Sequence, residues 1–254
     1  MTTPGTRLIN VTLPVFNEAA RLPDGFARVR QFLAGHCRFA VEVVIVDNAS
    51  TDGTLDIARQ LSRRCEGTRV VRLDKKGRGG ALKHAWLESR ADVLSNMDID
   101  LSTDLAAFTP LVEALASGRF DLAVGSRLLS ESTTARCWRR EAISRGYMSL
   151  VGMVFRTRFS DAQCGFKAIT REAAARLLPA VEDTGWFFDT ELLVLAEKCG
   201  YRIFDLPVRW TEDPDSRVKI LRTAWGDLRG ILRLYRKLRR GEYARLTFNP
   251  ALTK

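Results

Sequence analysis

Short apolar runs alternate with segments of helical period along the first half of the chain. The apolar runs predict strands at Leu8–Leu13, Val41–Val46, Arg69–Leu73, Asp92–Met97 and Asp121–Gly125. The segments between them predict amphipathic helices at Glu18–Leu33, Thr54–Arg64, Ala81–Ser89 and Leu105–Ala116. Strands and helices that alternate at this spacing form parallel βαβ units with helices on both faces of the sheet. The sequence therefore predicts an α/β fold with a central, mostly parallel sheet.

The second half of the chain is less regular. It predicts strands at Cys164–Ile169 and Arg202–Val208, and helices at Ile143–Phe155, Arg171–Leu178, Phe188–Lys198 and Ile220–Arg240. It contains no internal repeat and no linker rich in Pro, Gly or Ser. The simplest organisation is one domain over residues 1–219, on which a basic amphipathic helix and tail at 220–254 pack.

Composition limits the class of protein. Of the 254 residues, 46% are hydrophobic and 28% are charged, which is typical of a globular domain and excludes a disordered or coiled-coil chain. There is no apolar run of membrane-spanning length and no signal peptide. The five cysteines are odd in number and never spaced as CxxC, which argues against a disulfide framework and a zinc site. We therefore expect a protein of the reducing cytoplasm.

The positive charge is concentrated near the C-terminus. The formal net charge is +10, and the segment from Arg217 to Arg245 holds ten basic and two acidic residues, a balance of +8. In the predicted helix, one face is apolar and consists of Leu221, Trp225, Leu228, Leu232 and Tyr235. Much of the remainder is arginine, at positions 222, 229, 233, 236, 239 and 240.

This pattern has three interpretations. The first is an ordinary helix packed on the domain with a solvated basic face. The second is an interfacial helix on anionic lipid, which predicts a peripheral protein on the inner face of the membrane. The third, nucleic-acid binding, is disfavoured because no base-reading or stacking module is visible. The basic and aromatic stretch from Arg136 to Arg140 resembles a second membrane contact or an acceptor loop.

The strongest chemical signal is a pair of carboxylates directly after the fourth predicted strand. In sheets of this kind, ligands bind beyond the carboxyl ends of the strands. Asp98 and Asp100 are two residues apart, so in extended chain they point the same way. Hard divalent cations take oxygen ligands from one or two carboxylates and complete their shell with phosphates and water. The position favours a metal site over a solvated loop.

Two further segments follow predicted strands. Asp47 begins a turn and helix cap, and it is also placed to accept hydrogen bonds from a nucleotide base or ribose. The stretch from Lys75 to Gly80 combines glycines with cations before a helix, which suits a phosphate or, alternatively, only a tight turn into the helix.

These segments together resemble a known family. The series Leu13-Pro14-Val15-Phe16-Asn17-Glu18, Val46-Asp47-Asn48-Ala49-Ser50, Lys76-Gly77-Arg78-Gly79-Gly80-Ala81, Asp98-Ile99-Asp100 and Gly125-Ser126-Arg127 is similar to family 2 glycosyltransferases. The segments Asp161–Lys167 and Trp186–Leu193 resemble the dolichyl-phosphate β-glucosyltransferase branch more than the related mannose synthases. The resemblance covers roughly residues 9–219 and implies the glycosyltransferase A-type fold, with 1–219 as the catalytic domain.

The resemblance also implies roles for individual residues. Pro14, Phe16, Glu18 and Asp47 would frame the base and ribose of the donor, with Lys76 and Gly77 close to the nucleotide. Asp98 and Asp100 would hold Mg²⁺ or Mn²⁺ on the donor diphosphate. Arg127, Lys167, Ser216, Arg217 and Lys219 would bind the donor diphosphate and the acceptor phosphate. The catalytic residues would be Asp189 and Glu191, near the sugar hydroxyls and the reaction centre.

The chain departs from the family pattern in a few places. Asn48 stands where an Asp is frequent, and Ser102 replaces the Gln of the mannose synthases. The N-terminal membrane anchor of the eukaryotic glucosyltransferases and the C-terminal transmembrane region of many bacterial relatives are missing. The Ser102 departure counts against close kinship to the mannose synthases, and the membrane segments that we do not find bear on how the chain meets a lipid.

Three functions follow as hypotheses. The first is inverting transfer of a hexose from a nucleotide diphosphate sugar to polyprenyl phosphate at the membrane surface. The second is transfer to a hydroxyl of a small molecule or glycan, and the third is a non-catalytic nucleotide-sugar-binding protein. The resemblance favours UDP-glucose and leaves GDP-mannose and UDP-N-acetylhexosamines open as donors.

Overall fold

The computed structural model describes residues 7–212 and 220–246, with side chains in the second segment from Thr223 onward. The strands are β1 (Leu8–Val15), β2 (Ala40–Asn48), β3 (Thr68–Leu73), β4 (Val93–Asn96), β5 (Leu122–Ser126), β6 (Thr133–Ala135), β7 (Lys167–Thr170), β8 (Ile203–Pro207) and β9 (Arg209–Thr211). The helices are α1 (Leu22–His36), α2 (Thr54–Arg64), α3 (Arg78–Glu88), α4 (Phe108–Ala116), α5 (Trp138–Phe155), α6 (Arg171–Leu177), α7 (Phe188–Lys198) and α8 (Ile220–Arg239).

A seven-stranded sheet forms the centre of the protein in the order β3-β2-β1-β4-β7-β5-β8. All neighbouring strands are parallel except β7, which runs antiparallel between β4 and β5. The predicted mixed, mostly parallel α/β sheet is confirmed. The register places Val15 of β1 beside Asp47 of β2, so the two strands end together at one edge.

Two apolar cores cover the two faces of this sheet. One contains α1, α4 and the inward side chains of β1, and the other contains α6, α7 and the buried part of α8. The parallel pair of β6 and β9 lies apart from the main sheet and was not predicted. Each of these strands is only three residues long and partly exposed, so it has no apolar run for sequence analysis to detect.

The predicted ends of several helices were wrong by a few residues. α1 begins at Leu22 rather than Glu18, because Pro23 occupies the first turn, where its missing N–H is tolerated. α3 begins at Arg78 rather than Ala81, so Gly79 and Gly80 lie inside the first turn and Gly77 is the N-cap. α5 begins at Trp138 rather than Ile143.

α8 packs on the domain through one face. Ile231 and Leu234 are buried in the core, and a Cβ at Gly230 would lie 2.3 Å from the Phe187 ring. The helix backbone therefore approaches Phe187 as closely as a glycine allows. Its opposite face exposes Trp225 and Leu232 to solvent. No helix within residues 7–212 and 220–246 has the length and hydropathy needed to cross a membrane.

Candidate active site

A cleft of about 770 Å³ opens at the edge of the sheet where β1, β2 and β4 end. Residues between 183 and 187 and the N-terminal part of α8 form part of its lining. The backbone is left-handed at Asn17, Ala49 and Leu101, which follow these three strands. Non-glycine residues in this conformation are uncommon and cluster at functional sites. The cleft is therefore the candidate active site.

The structure brings many of the predicted site residues to this cleft. It is lined by Pro14, Phe16, Glu18, Lys76, Gly77, Asp98 and Asp100. Other predicted residues lie buried beside the cleft or behind it, namely Asp47, Lys167, Asp189 and Glu191. Ser216, Arg217 and Lys219 lie outside the described residues.

The two carboxylates that follow β4 both face the cleft. Asp98 and Asp100 lie at a turn, closed by the Leu101 amide on the Asp98 carbonyl oxygen, rather than in extended chain. A Cβ at Gly165 would lie 1.8 Å from Oδ2 of Asp98, so only glycine leaves room for this carboxylate. Asp100 is exposed and accepts a hydrogen bond of 3.0 Å from the Ser102 amide.

This donor set fits a hard divalent cation. In the part of the chain that the structure describes, no group of three or more His, Cys, Asp or Glu side chains is arranged around a metal site. Two carboxylates on an open cleft leave most of the coordination shell to other ligands. Mg²⁺ is bound in this way, through one or two carboxylates together with substrate phosphates and water.

Arg78 connects the two halves of the site, and sequence analysis did not assign it a role. Its Nη2 donates to Oδ1 of Asp98 at 3.0 Å, and its Nη1 donates to Oδ2 of Asp189 at 2.6 Å. Burial opposes the charge of this guanidinium, but the two carboxylates outweigh burial and raise its pKa above the usual value. The Trp186 ring lies 5.7 Å from its Cζ, at the rim of the cleft.

Asp189 is held between two cations. Besides Arg78, the Lys167 ammonium lies 3.4 Å from its Oδ1. Lys167 is 2% exposed and also donates to the Cys164 carbonyl oxygen. Buried charges require such partners. Lys167 therefore compensates a carboxylate behind the cleft and does not itself face the opening.

Glu191 is separated from the cleft and binds the loop that lines it. Its Oε2 accepts hydrogen bonds from the amides of Glu182 and Asp183, and from Nη2 of Arg233 in α8 at 2.7 Å. Burial, the largest effect, raises the pKa of this carboxyl despite the opposing donors. In this arrangement Glu191 positions the loop at 182–183 and ties it to α8.

The predicted nucleotide end of the cleft is built by β1 and β2. Asp47 is fully buried and accepts a bond of 3.4 Å from the Ser50 amide. Asn48, which does line the cleft, accepts a bond of 2.7 Å from the Gly77 amide. The Lys76 ammonium lies 3.3 Å from the centroid of the Phe16 ring, a cation–π contact on the cleft wall.

The glycines that open α3 allow close packing. The amides of Gly79 and Gly80 donate to the carbonyl oxygens of Gly185 and Thr184. A Cβ at Gly79 would lie 2.2 Å from Cβ of Phe188. The expectation that these helix-terminal amides receive a phosphate is wrong for Gly79 and Gly80, because the loop before α7 already occupies them.

Arg127 is paired with a buried carboxylate. Its Nε and Nη2 donate to Asp161 at 2.7 and 3.0 Å, a bidentate pair. Burial alone would raise the pKa of Asp161, but Arg127 outweighs burial and holds this pKa below its usual value. The structure therefore places Arg127 behind the cleft lining, in a contact that fixes the loop after β5.

Asp227 of α8 lines the cleft and was not predicted. It is 5% exposed, and burial together with nearby Asp183 raises its pKa to about 6. Protonation is thus more favourable in the folded state than in the unfolded state. Ionisation of Asp227 lowers the free energy of unfolding. This loss is absent below pH 3.8, the pKa of the group in the unfolded chain, grows between pH 4 and 6, and is complete above pH 6.

Asp227→Asn should therefore stabilise the protein at high pH. A shift of this size corresponds to a gain of up to roughly 3 kcal/mol at pH 8 and to almost none at pH 4. Urea denaturation at both pH values measures the difference. Asp24→Asn, at an exposed position in α1, is the control for the removal of one acidic charge. An equal effect of Asp227→Asn at pH 4 and pH 8 would exclude this assignment.

Comparison with known proteins identifies relatives over most of the chain. The sequence model of glycosyl transferase family 2 matches residues 10–178. The glycosyltransferase AglD of Haloferax volcanii is 38% identical over 252 residues, which are 97% of this chain and 38% of that protein. The dolichyl-phosphate beta-glucosyltransferase of Drosophila melanogaster is 33% identical over 83% of this chain and 69% of its own length. This chain thus spans little more than a third of AglD but most of the Drosophila enzyme.

Solved structures of similar fold include glycosyltransferases. Glucosyl-3-phosphoglycerate synthase from Mycobacterium tuberculosis, in complex with Mn²⁺, UDP-glucose and phosphoglyceric acid, is 18% identical with a TM-score of 0.64. The match covers 96% of this chain and 81% of that one. The mannosyltransferase PcManGT from Pyrobaculum calidifontis, in complex with GDP-mannose and Mn²⁺, is 19% identical over 82% of this chain and 57% of its own, with a TM-score of 0.54. At this identity the likeness concerns the fold, and it confirms the predicted glycosyltransferase A-type architecture.

Proposed function

The chain belongs to glycosyl transferase family 2, and from that premise we propose that it transfers a hexose from a nucleotide diphosphate sugar to polyprenyl phosphate at a membrane surface. The transfer would invert the configuration at the anomeric carbon and would use a divalent metal. UDP-glucose is the favoured donor. The observation that carries the proposal is the cleft in which Asp98 and Asp100 meet Lys76 and Arg78. The dolichyl-phosphate beta-glucosyltransferases that match over most of this chain support the choice of acceptor and sugar.

The donor would bind along the ends of β1, β2 and β4. Pro14 and Phe16 offer apolar surface for the base, and Asp47 offers a buried carboxylate beneath it. Asp98 and Asp100 would hold Mg²⁺ or Mn²⁺, which when bound compensates the negative charge that develops on the leaving diphosphate. Lys76 would add a positive charge on the same side of the cleft.

The acceptor phosphate would attack the anomeric carbon from the face opposite the diphosphate. The new bond joins a phosphate oxygen to this carbon as the bond from the carbon to the diphosphate oxygen breaks, and the nucleoside diphosphate leaves with that electron pair. A phosphate monoester has a second pKa near 6, so it is already nucleophilic at neutral pH and needs no base. This agrees with Asp189, which is held by Arg78 and Lys167, and with Glu191, which is buried under the loop.

A lipid acceptor requires a route to the membrane, and we propose that α5 and α8 provide it. These helices contact one another and expose large apolar side chains, namely Trp138, Ile143, Leu150 and Met153 on α5 and Trp225, Leu228, Leu232 and Tyr235 on α8. Arginines flank them, as at Arg139 over the Trp138 ring and Arg229 over the Trp225 ring. Apolar anchors next to cations are typical of helices that lie on anionic lipid. The same α8 contributes Thr223, Gly226 and Asp227 to the cleft.

A screen of donors tests the proposal. UDP-glucose, GDP-mannose and UDP-N-acetylglucosamine are each incubated with polyprenyl phosphate and Mn²⁺, and the lipid products are identified by mass spectrometry. We expect hexosyl polyprenyl phosphate from UDP-glucose, β-linked by NMR, and no product in EDTA. Free polyprenol, which lacks the phosphate, is the matched control acceptor. Product formed on polyprenol or on a glycan but not on polyprenyl phosphate would favour the hydroxyl-acceptor hypothesis instead.

A further inference from the structure

Arg78 occupies the point where three separate parts of the chain meet. It is the first residue of α3, and its guanidinium joins Asp98, which follows β4, to Asp189 in the first turn of α7. Only 11% of its side chain is exposed, and that part faces the cleft. A guanidinium that contacts a proposed metal ligand at 3.0 Å takes up one oxygen that the metal would need.

The charges around Arg78 are balanced in this state. Two carboxylates, Asp98 and Asp189, face two cations, Arg78 and Lys167. Asp189 and Lys167 are nearly inaccessible to solvent, whereas 40% of the Asp98 side chain is exposed. Asp98 is therefore the carboxylate of the set that faces ligands. Without a nucleotide, a divalent cation bound at Asp98 would place two more positive charges beside Arg78. Like charges in a partly buried site repel strongly.

A nucleotide diphosphate changes this balance. Its oxygens are acceptors that suit a guanidinium, and its negative charge compensates both Arg78 and the metal. With the diphosphate present, Arg78 no longer needs Asp98 as its partner and still keeps Asp189. Asp98 is then available to the cation.

We propose that Arg78 is a positioning residue that holds Asp98 in the absence of nucleotide and thereby makes metal binding depend on the nucleotide diphosphate. This inference rests on the proposed donor and metal site. Its consequence is thermodynamic coupling: the diphosphate strengthens metal binding, and the metal strengthens diphosphate binding by the same factor. Direct ligation of the metal by phosphate also couples metal binding to diphosphate binding. The contribution of Arg78 is therefore identified by the metal affinity measured without nucleotide.

The test measures Mn²⁺ binding by electron paramagnetic resonance, with and without UDP, in the full chain. In Arg78→Gln, we expect Mn²⁺ to bind about fivefold to tenfold more tightly without UDP than in the wild type. The same variant should bind UDP more weakly in the absence of metal, because a phosphate partner is lost. Arg78→Lys, which keeps the charge, should bind Mn²⁺ without UDP nearly as weakly as the wild type.

The controls separate this inference from a loss of fold and from failure of the metal site. A misfolded variant would lose both ligands, whereas the expected signature is tighter Mn²⁺ together with weaker UDP. Arg59→Gln, at an exposed position on α2 that does not line the cleft, also removes one positive charge and should leave both affinities unchanged. An unchanged Mn²⁺ affinity in Arg78→Gln, or an equal gain in Arg59→Gln, would overturn the role of Arg78. Wild-type Mn²⁺ affinity in Asp100→Asn would instead overturn the metal site itself.

Discussion

Replacing Asp100 with asparagine is expected to slow metal-dependent transfer by about a hundredfold or more while the fold is retained. Asp100 is exposed, and its hydrogen bond from the Ser102 amide is one that an asparagine oxygen also accepts. The substitution therefore removes a negative charge and keeps an acceptor for the Ser102 amide. A neutral amide is a poor ligand for a hard divalent cation, which prefers carboxylate oxygen.

The assay compares transfer rates with saturating Mn²⁺ and in EDTA, with circular dichroism as the measure of folding. Asp104→Asn is a matched control, since Asp104 is also exposed and also accepts a backbone N–H, that of Ala106, but does not line the cleft. It should transfer at the wild-type rate. A wild-type rate in Asp100→Asn, or full wild-type activity in EDTA, would show that the two carboxylates do not serve a metal.

Much of the cleft follows from local sequence signals. The apolar runs locate β1, β2 and β4, and polar residues directly after buried parallel strands must meet at one edge of the sheet. Accordingly, Glu18 after β1 and Asp98 after β4 line the same cleft. The bounds of α2 and α7 also agree with the predicted Thr54–Arg64 and Phe188–Lys198.

Contacts between distant segments were harder to foresee. Arg78 stands in a motif that was recognised, yet its partners Asp98 and Asp189 lie 20 and 111 residues away. Asp227 enters the cleft only because Gly230 allows α8 to pack against Phe187. Neither relation leaves a periodic signal in the chain, because both depend on how elements pack.

The different surroundings of Asp189 and Glu191 could have been predicted from the sequence alone. Both were expected near the reaction centre, within a helix predicted at Phe188–Lys198. Residues two apart on a helix do not face each other. Accordingly, Asp189 contacts Arg78 at the cleft, while Glu191 contacts Arg233 and the loop at 182–183.

Binding to anionic vesicles should fall at least tenfold when Arg229, Arg236 and Arg239 are replaced together by glutamine. All three are exposed on α8, whereas Arg233 is excluded because it holds the buried Glu191. Each basic residue near an anionic surface contributes about 1 kcal/mol, so three contribute up to about 3 kcal/mol before losses to screening.

The apolar side chains of α8 should act with these charges. Trp225 is 59% exposed and lies under the Arg229 guanidinium, 5.1 Å from its Cζ. Trp225→Ser removes an apolar anchor and leaves the net charge unchanged. We expect it to weaken vesicle binding severalfold in a way that added salt does not reproduce, because burial of apolar area is not screened by ions.

Co-sedimentation with vesicles of phosphatidylglycerol or phosphatidylcholine measures both effects. Binding should require the anionic lipid and should weaken as salt rises, since the Debye length falls from about 10 Å at 0.1 M to about 3 Å at 1 M. Replacing Arg59, Arg63 and Arg64 of α2 by glutamine removes the same charge from another exposed helix face and should change binding little. Equal pelleting with both lipids, or equal losses in the two triple variants, would mean that α8 does not meet the membrane. Thr223, Gly226 and Asp227 place α8 on the wall of the cleft, which is why it was proposed as the route for the lipid. If α8 does not meet the membrane, the lipid acceptor has to reach the cleft over another surface.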